Sequence, residues 1–125
     1  MVFRLLMIDD EPSIGALVGR VAEGLDYEMR FVMHADAFRA AHQSFDPDVI
    51  ILDLSMPGTD GIELLGYLAA EKSRAKVVIM SGFDPGIRDG ARLLGEGRGL
   101  TMAGIISKPV RTAELRNTLE KLKTK

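Results

Sequence analysis

The 125-residue sequence predicts one α/β domain, a doubly wound five-stranded parallel sheet in strand order 2-1-3-4-5 with five helices on its faces. Three observations carry this. Four short runs rich in Val, Ile, Leu and Met, at 2–8, 48–53, 76–80 and 102–107, have the length and continuous apolarity of strands buried on both faces. A fifth run, at 27–33, alternates in polarity instead. Between the runs lie stretches with apolar residues at helical spacing, so strand and helix take turns along the chain. That order requires parallel strands joined by right-handed crossovers.

Taken in order, strand one leads into "DDEP", where Pro12 stands near the first position of helix one and its missing N–H costs little. Helix one carries Ile14, Leu17, Val18, Val21 and Leu25 along one stripe. Strand two, "YEMRFVM", turns Tyr27, Met29, Phe31 and Met33 one way and Glu28, Arg30 and Val32 the other, and its charges place it at a sheet edge. Helix two shows Ala35, Phe38, Ala41 and Phe45. Strand three ends in "VIILD", and the following "LSMPGTDG" supplies a turn at Pro57–Gly58 and an N-cap at Asp60 for helix three, whose stripe is Ile62, Leu65 and Leu68. Strand four covers 76–80. The region after it, "DPGIRDGARLLGEGRG", holds five glycines, each costing up to ~1 kcal/mol in a helix interior. The prediction there is a short helix four whose C-terminal part, including "GEGRG", is a flexible loop. Strand five covers 102–107, and helix five follows Thr112 with Leu115, Leu119 and Leu122.

Composition limits the functions such a domain could have. A chain of this length buries roughly two-thirds of the surface its unfolded form exposes, enough for one core without staples. With 46% hydrophobic and 27% charged residues it reads as an ordinary soluble globular protein. No apolar run approaches the ~20 residues of a membrane span, and the N-terminal "MVFRLLMI" reads as a strand, not a signal peptide. No membrane partner is expected, and the expected location is the cytoplasm. The absence of cysteine excludes disulfides, thiolate metal sites and cysteine nucleophiles. A net charge of -2 with both signs interspersed gives no basic footprint for direct nucleic-acid binding.

The polar residues gather where the strands end. Strand one runs into Asp9, Asp10 and Glu11, strand three into Asp53, strand four into Ser81, and strand five into Lys108–Pro109. In the predicted order these ends share one sheet edge, beside the switch between strands one and three where such folds bind ligands. Two carboxylates ~4 Å apart repel by about 4 kcal/mol at an effective dielectric of about 20, so cationic charge must be present. Lys108 supplies one positive charge. Hard oxygens with no histidine or cysteine nearby also suit a partly hydrated Mg2+, held by Asp9, Asp10 and Asp53. A carboxylate beside Mg2+, an ammonium and a hydroxyl has what phosphoryl transfer requires, and Asp53, alone at the central strand's end, is the best-placed nucleophile.

Together, "IDDEP", "LDLSMPGTDG", "MSG" and "KP", in this order at these strand ends, resemble the receiver domains of two-component response regulators over essentially all 125 residues. The resemblance implies the flavodoxin-like form of the fold and a single receiver domain over 1–125. It implies that Asp53 accepts phosphate from a phosphohistidine on a sensor histidine kinase or histidine phosphotransfer protein, for the control of a downstream effector domain or protein. It further implies that Asp10 and Asp53 ligate Mg2+ directly, that Ser55 adds its backbone carbonyl, and that Asp9 acts largely through water. Lys108, before a cis peptide bond, would pair with the phosphoryl group, and Ser81 would hydrogen-bond it and move the following loop. Ser55 and Phe83 match positions that tune dephosphorylation. Two departures stand out. Ile105 occupies the switch position where receivers carry Tyr or Phe, and 27 positions separate Ser81 from Lys108, a few more than usual. The expectation is a signal relayed by the helix-four region and its following loop without an aromatic rotamer change.

Blander readings account for several other residues. Taken singly, the aspartates and Ser81 read as caps and turn residues; jointly with Lys108 they do not. Glu11 either touches metal-bound water or favours the positive end of helix one, and is left out of the ligand set. "GEGRG" lacks the strand-to-helix setting and the Lys-Ser/Thr pair of a phosphate-binding loop. His34 and His42 have no spaced metal partner and read as surface residues, and most of the methionines read as core filling. Among other functions, a flavodoxin-like redox protein is disfavoured because "DDEP" repels a flavin phosphate. An Mg2+-dependent phosphohydrolase is disfavoured because Ser55 stands where a second aspartate is usual. A degenerate receiver acting without phosphorylation is opposed by the intact acidic set. The expected activity is that of a signalling domain which catalyses only its own phosphorylation and dephosphorylation, not that of an enzyme.

Overall fold

A computed structural model describes residues 2–56, 61–82 and 85–123. Strands β1 (Phe3–Ile8), β2 (Tyr27–Val32), β3 (Val49–Asp53), β4 (Lys76–Ser81) and β5 (Thr101–Ser107) form one parallel sheet in the order β2-β1-β3-β4-β5. Helices α1 (Pro12–Gly24), α2 (Ala35–Phe45), α3 (Gly61–Ala70), α4 (Pro85–Gly97) and α5 (Thr112–Leu122) fill the crossovers. This is the predicted architecture.

The continuous apolar runs are explained by two cores. Successive residues of a strand point to opposite faces, and both faces of the central strands are covered. Leu6, Ile8, Ile50, Leu52, Val77 and Ile79 pack with Phe38, Leu64, Leu65, Leu68 and Ala91, beneath α2, α3 and α4. Leu5, Met7, Val49, Ile51, Val78 and Met80 pack with Val18, Val21, Leu115 and Leu119, beneath α1 and α5. Each fully buried aliphatic side chain contributes roughly 1.5–3 kcal/mol of transfer free energy, and every residue of β3 is buried. The edge strand β2 is tied to this frame by Tyr27, whose buried hydroxyl donates to the Leu119 carbonyl at 2.6 Å.

Several local expectations are corrected. Helix α4 does not end before "GEG" but runs to Gly97. Packing outweighs helix propensity here: a Cβ on Gly95 would stand 2.4 Å from Met102 Sδ, so the glycine lets α4 lie close against β5. The chain then turns at Gly99, with φ of 90°, and the Leu100 and Gly99 N–H groups donate back to the carbonyls of Gly95 and Glu96. This is a Schellman cap, in which the buried Leu100 supplies the usual apolar contact. "GEGRGL" is therefore a helix end.

Strand β5 is not buried on both faces. It is the second sheet edge, with only Ile106 fully covered, and a bulge pairs Met102 with Val77 and Gly104 with Val78, leaving Ala103 as the extra residue. On α3 the buried stripe is Leu64, Leu65 and Leu68, while Ile62 is exposed. Thr112 is the first residue of α5; Arg111 holds the N-cap position and makes no side-chain capping bond. His34 is exposed as expected. His42 is half-buried, with Nε2 3.0 Å from Ser73 Oγ and its ring edge-on to Tyr67, and burial lowers its pKa against the opposing charges of Glu71 and Asp46. The turn at Pro57–Gly58, the Asp60 cap and Phe83 lie outside the described residues.

Candidate functional site

Among the described residues three polar side chains are fully buried, Asp9, Asp53 and Ser81. All three stand at the C-terminal edge of the sheet. Strand β1 delivers Asp9, whose N–H still bonds the Val32 carbonyl at 3.2 Å. Asp53 closes β3, opposite Met80, and Ser81 closes β4, opposite Ser107.

The two buried carboxylates are held by the same device. Asp9 Oδ1 accepts the Glu11 N–H at 2.9 Å, and Asp53 Oδ1 accepts the Ser55 N–H at 2.9 Å. Each aspartate thus bonds the backbone two residues ahead, the Asx-turn pattern that steers a chain out of a strand. The second oxygen of each is left to face Lys108. Its Nζ lies 3.0 Å from Asp53 Oδ2, 3.5 Å from Asp9 Oδ2 and 3.3 Å from Glu11 Oε1. The lysine is placed by its own backbone, through an N–H donated to the Ser81 carbonyl at 2.8 Å; the following Lys108–Pro109 bond is cis.

The electrostatics reflect crowding of negative charge. Burial pushes the Asp9 carboxyl up to about 6, with the neighbouring Asp53 charge adding to it and the Glu11 N–H and Lys108 opposing it. Burial acts to lower the Lys108 pKa, but the hydrogen bond and charge of Asp53, then Asp9 and Glu11, outweigh it and the net direction is upward. Asp9 Oδ2 is buried without a hydrogen-bond partner, and one oxygen from each of Asp9, Asp10 and Asp53 lies within 4.8 Å of the others. Three converging carboxylates, with a buried Asp9 oxygen that lacks a hydrogen-bond partner, fit a small divalent cation such as Mg2+.

The structure thus brings together Asp9, Asp10, Asp53 and Lys108, with Ser81 buried at the adjoining strand end. Ser55 sits beside them, its Oγ accepting the Gly82 N–H at 3.2 Å, so the chain after β3 is tied to the chain after β4. Ile105 lies lower on β5, opposite Ile79 and half-buried against the α2–α3–α4 side. Sequence reasoning left out two contacts. Glu11 is a direct partner of Lys108, for which its place in "DDEP" was the available signal. Arg88 of α4 donates from Nη1 to Ser107 Oγ at 2.9 Å, and no sequence motif marks that pair.

Comparison with known proteins agrees with this geometry. The family model of the response regulator receiver domain matches residues 5–120. The nitrogen assimilation regulatory protein NtrX of Azorhizobium caulinodans is 36% identical over 84 residues, covering 66% of this chain and 18% of NtrX. The chemotaxis protein CheY of Listeria monocytogenes is 30% identical over 83 residues, covering 64% of this chain and 68% of CheY. The chain therefore spans a small part of the one relative and about two-thirds of the other. The crystal structure of a response regulator from Colwellia psychrerythraea superposes with a TM-score of 0.85 at 32% identity, covering 98% of this chain and 97% of that one.

Proposed function

The chain belongs to the response regulator receiver family, and from that premise we propose that Asp53 is a phosphoacceptor, charged by a phosphohistidine on a sensor histidine kinase or a histidine phosphotransfer protein. One observation carries the reading. Asp53 is buried at the central strand's end with Oδ2 3.0 Å from Lys108 Nζ, while Asp9 and Asp10 converge on the same point. In the transfer, an Asp53 carboxylate oxygen forms a bond to phosphorus, the P–N bond of the donor breaks, and the imidazole leaves with the bond's electron pair and takes a proton.

The surrounding residues have distinct roles. Mg2+, held by Asp10, Asp53 and the Ser55 carbonyl with Asp9 acting through water, supplies positive charge to the phosphoryl oxygens when bound. Lys108 neutralises the site at rest and pairs with the phosphoryl group once it is present. Ser81 donates its hydroxyl to a phosphoryl oxygen. The working unit is one receiver domain over residues 1–125, which catalyses its own phosphorylation and dephosphorylation and no other reaction. Phosphorylation alters the α4–β5–α5 surface, through the segment 82–104 and without an aromatic at Ile105, and so controls an effector domain or protein. Neither nucleic acid nor a membrane is contacted directly. Among the described residues no helix is long and apolar enough to cross a membrane, and the proposed place of work is the cytoplasm.

The test is direct. With Mg2+ and acetyl phosphate, intact mass should show one labile phosphoryl group, absent from Asp53→Asn. No gain in mass, or a gain that survives the substitution, would refute the assignment.

A further inference from the structure

Arg88 is bound to the site's edge by a contact the proposed chemistry does not use. It lies in the first turn of α4, and its Nη1 donates to Ser107 Oγ at 2.9 Å. Ser107 is the last residue of β5, precedes Lys108 and is the register partner of Ser81. Register partners in a parallel sheet point to the same face. Ile79 and Ile105, two residues earlier on each strand, belong to the core beneath α4, so Ser81 and Ser107 continue that row on the α4 side. The guanidinium therefore docks α4 onto the strand ends from which Ser81 and Lys108 are presented.

The docking is underpaired. Arg88 Nε is buried and has no hydrogen-bond partner, and among the described residues Arg88 forms no ion pair. A guanidinium does not lose its charge in a protein and carries five donors. Holding it against a neutral hydroxyl leaves a partly desolvated charge uncompensated, an arrangement that favours any nearby gain of negative charge. Converting a carboxylate to its acyl phosphate adds roughly one unit of negative charge and three strong acceptor oxygens. That charge would appear at Asp53, which Lys108, the residue after Ser107, already touches.

We propose that Arg88 is a positioning residue coupling α4 to the phosphoacceptor. Hydrogen-bonded to Ser107 it docks α4 in the resting domain, and added charge at Asp53 draws the guanidinium off Ser107 and shifts α4. This rests on the phosphoacceptor reading, and it gives the segment 82–104 a named link to the site.

Hydrogen exchange of the α4 amides, measured with and without acetyl phosphate and Mg2+ alongside intact mass, tests it. The wild type should show several-fold faster α4 exchange when phosphorylated. Arg88→Gln should take up the phosphoryl group yet show fast α4 exchange in both states, changing by less than twofold. Ser107→Ala should loosen resting α4 in the same way, and the double variant should add nothing further. Arg88→Lys keeps the charge and should keep the response. A full wild-type response in Arg88→Gln, additive loosening in the double variant, or an Arg88→Lys protein as unresponsive as Arg88→Gln would overturn the coupling. Absence of phosphoryl uptake by the wild type would instead overturn the reading beneath it.

Discussion

Lys108 and Asp53, 55 positions apart in the chain, meet at 3.0 Å across the end of the sheet. The lysine is also the counter-charge to Asp9, so two buried carboxylates depend on one ammonium. Removing one partner of a buried pair leaves the other's desolvation uncompensated. Lys108→Ala should therefore lower stability in Mg2+-free buffer by about 2 kcal/mol near neutral pH, a figure set below the fully buried range because the lysine is partly exposed. The loss should be smaller in acid, where Asp9 takes up a proton. Urea denaturation in the two conditions measures both. The same variant should bind a beryllofluoride mimic of the phosphoryl group more weakly, and unchanged affinity would remove Lys108 from its assigned role.

Asp9 sets a second pH dependence, of definite sign. Its carboxyl is raised from 3.8 to about 6 in the fold, so the folded state holds this proton more tightly than the unfolded state. The stability this contributes is complete below about pH 4 and is lost as pH rises through about 6. Asp9→Asn should accordingly stabilise the Mg2+-free protein near neutral pH by up to about 3 kcal/mol, two pK units' worth, and should be close to neutral near pH 4. His42 acts oppositely: its pKa is lowered from 6.5, so its contribution is present above that value and is lost as pH falls below it. Comparing Asp9→Asn with wild type at each pH isolates the carboxylate. Excess Mg2+ should raise the wild-type melting temperature by relieving the same crowding, and the rise should shrink in Asp10→Asn.

Much of this site could be read from the sequence because each strand of the sheet carries its own signal. An apolar run such as "VIILD" fixes both the burial of a strand and the residue delivered at its end, and four such ends define one edge. Glu11 and Lys108 were legible as residues but not as a pair, because a contact between positions 97 apart depends on how the two strand ends converge. Arg88–Ser107 was illegible for a related reason: an arginine on a glycine-rich helix looks solvated until the helix is seen to lie on β5. The half-burial of β5 was implied by the predicted strand order, which puts it at an edge, yet its apolar run taken alone pointed the other way. His42 drew its burial from Ser73 and Tyr67, which lie on or after α3.

The glycines of α4 give the sharpest contrast between local propensity and packing. A Cβ at Gly90 would meet nothing within 4 Å, whereas at Gly95 it would stand 2.4 Å from Met102 Sδ. Alanine is favoured over glycine in a helix by about 1 kcal/mol, and overpacking costs about 1–3 kcal/mol. Gly90→Ala should therefore raise stability by about 0.5–1 kcal/mol. Gly95→Ala should be neutral to destabilising, because the helical gain is spent on displacing Met102 from β5. At Gly99, with φ of 90°, alanine would occupy strained backbone at the Schellman cap, and a loss of about 1 kcal/mol is expected. Among denaturation midpoints, that of Gly90→Ala should lie above wild type, that of Gly99→Ala below it, and that of Gly95→Ala at or below it. A Gly95→Ala protein as stabilised as Gly90→Ala would mean that α4 does not rest on Met102.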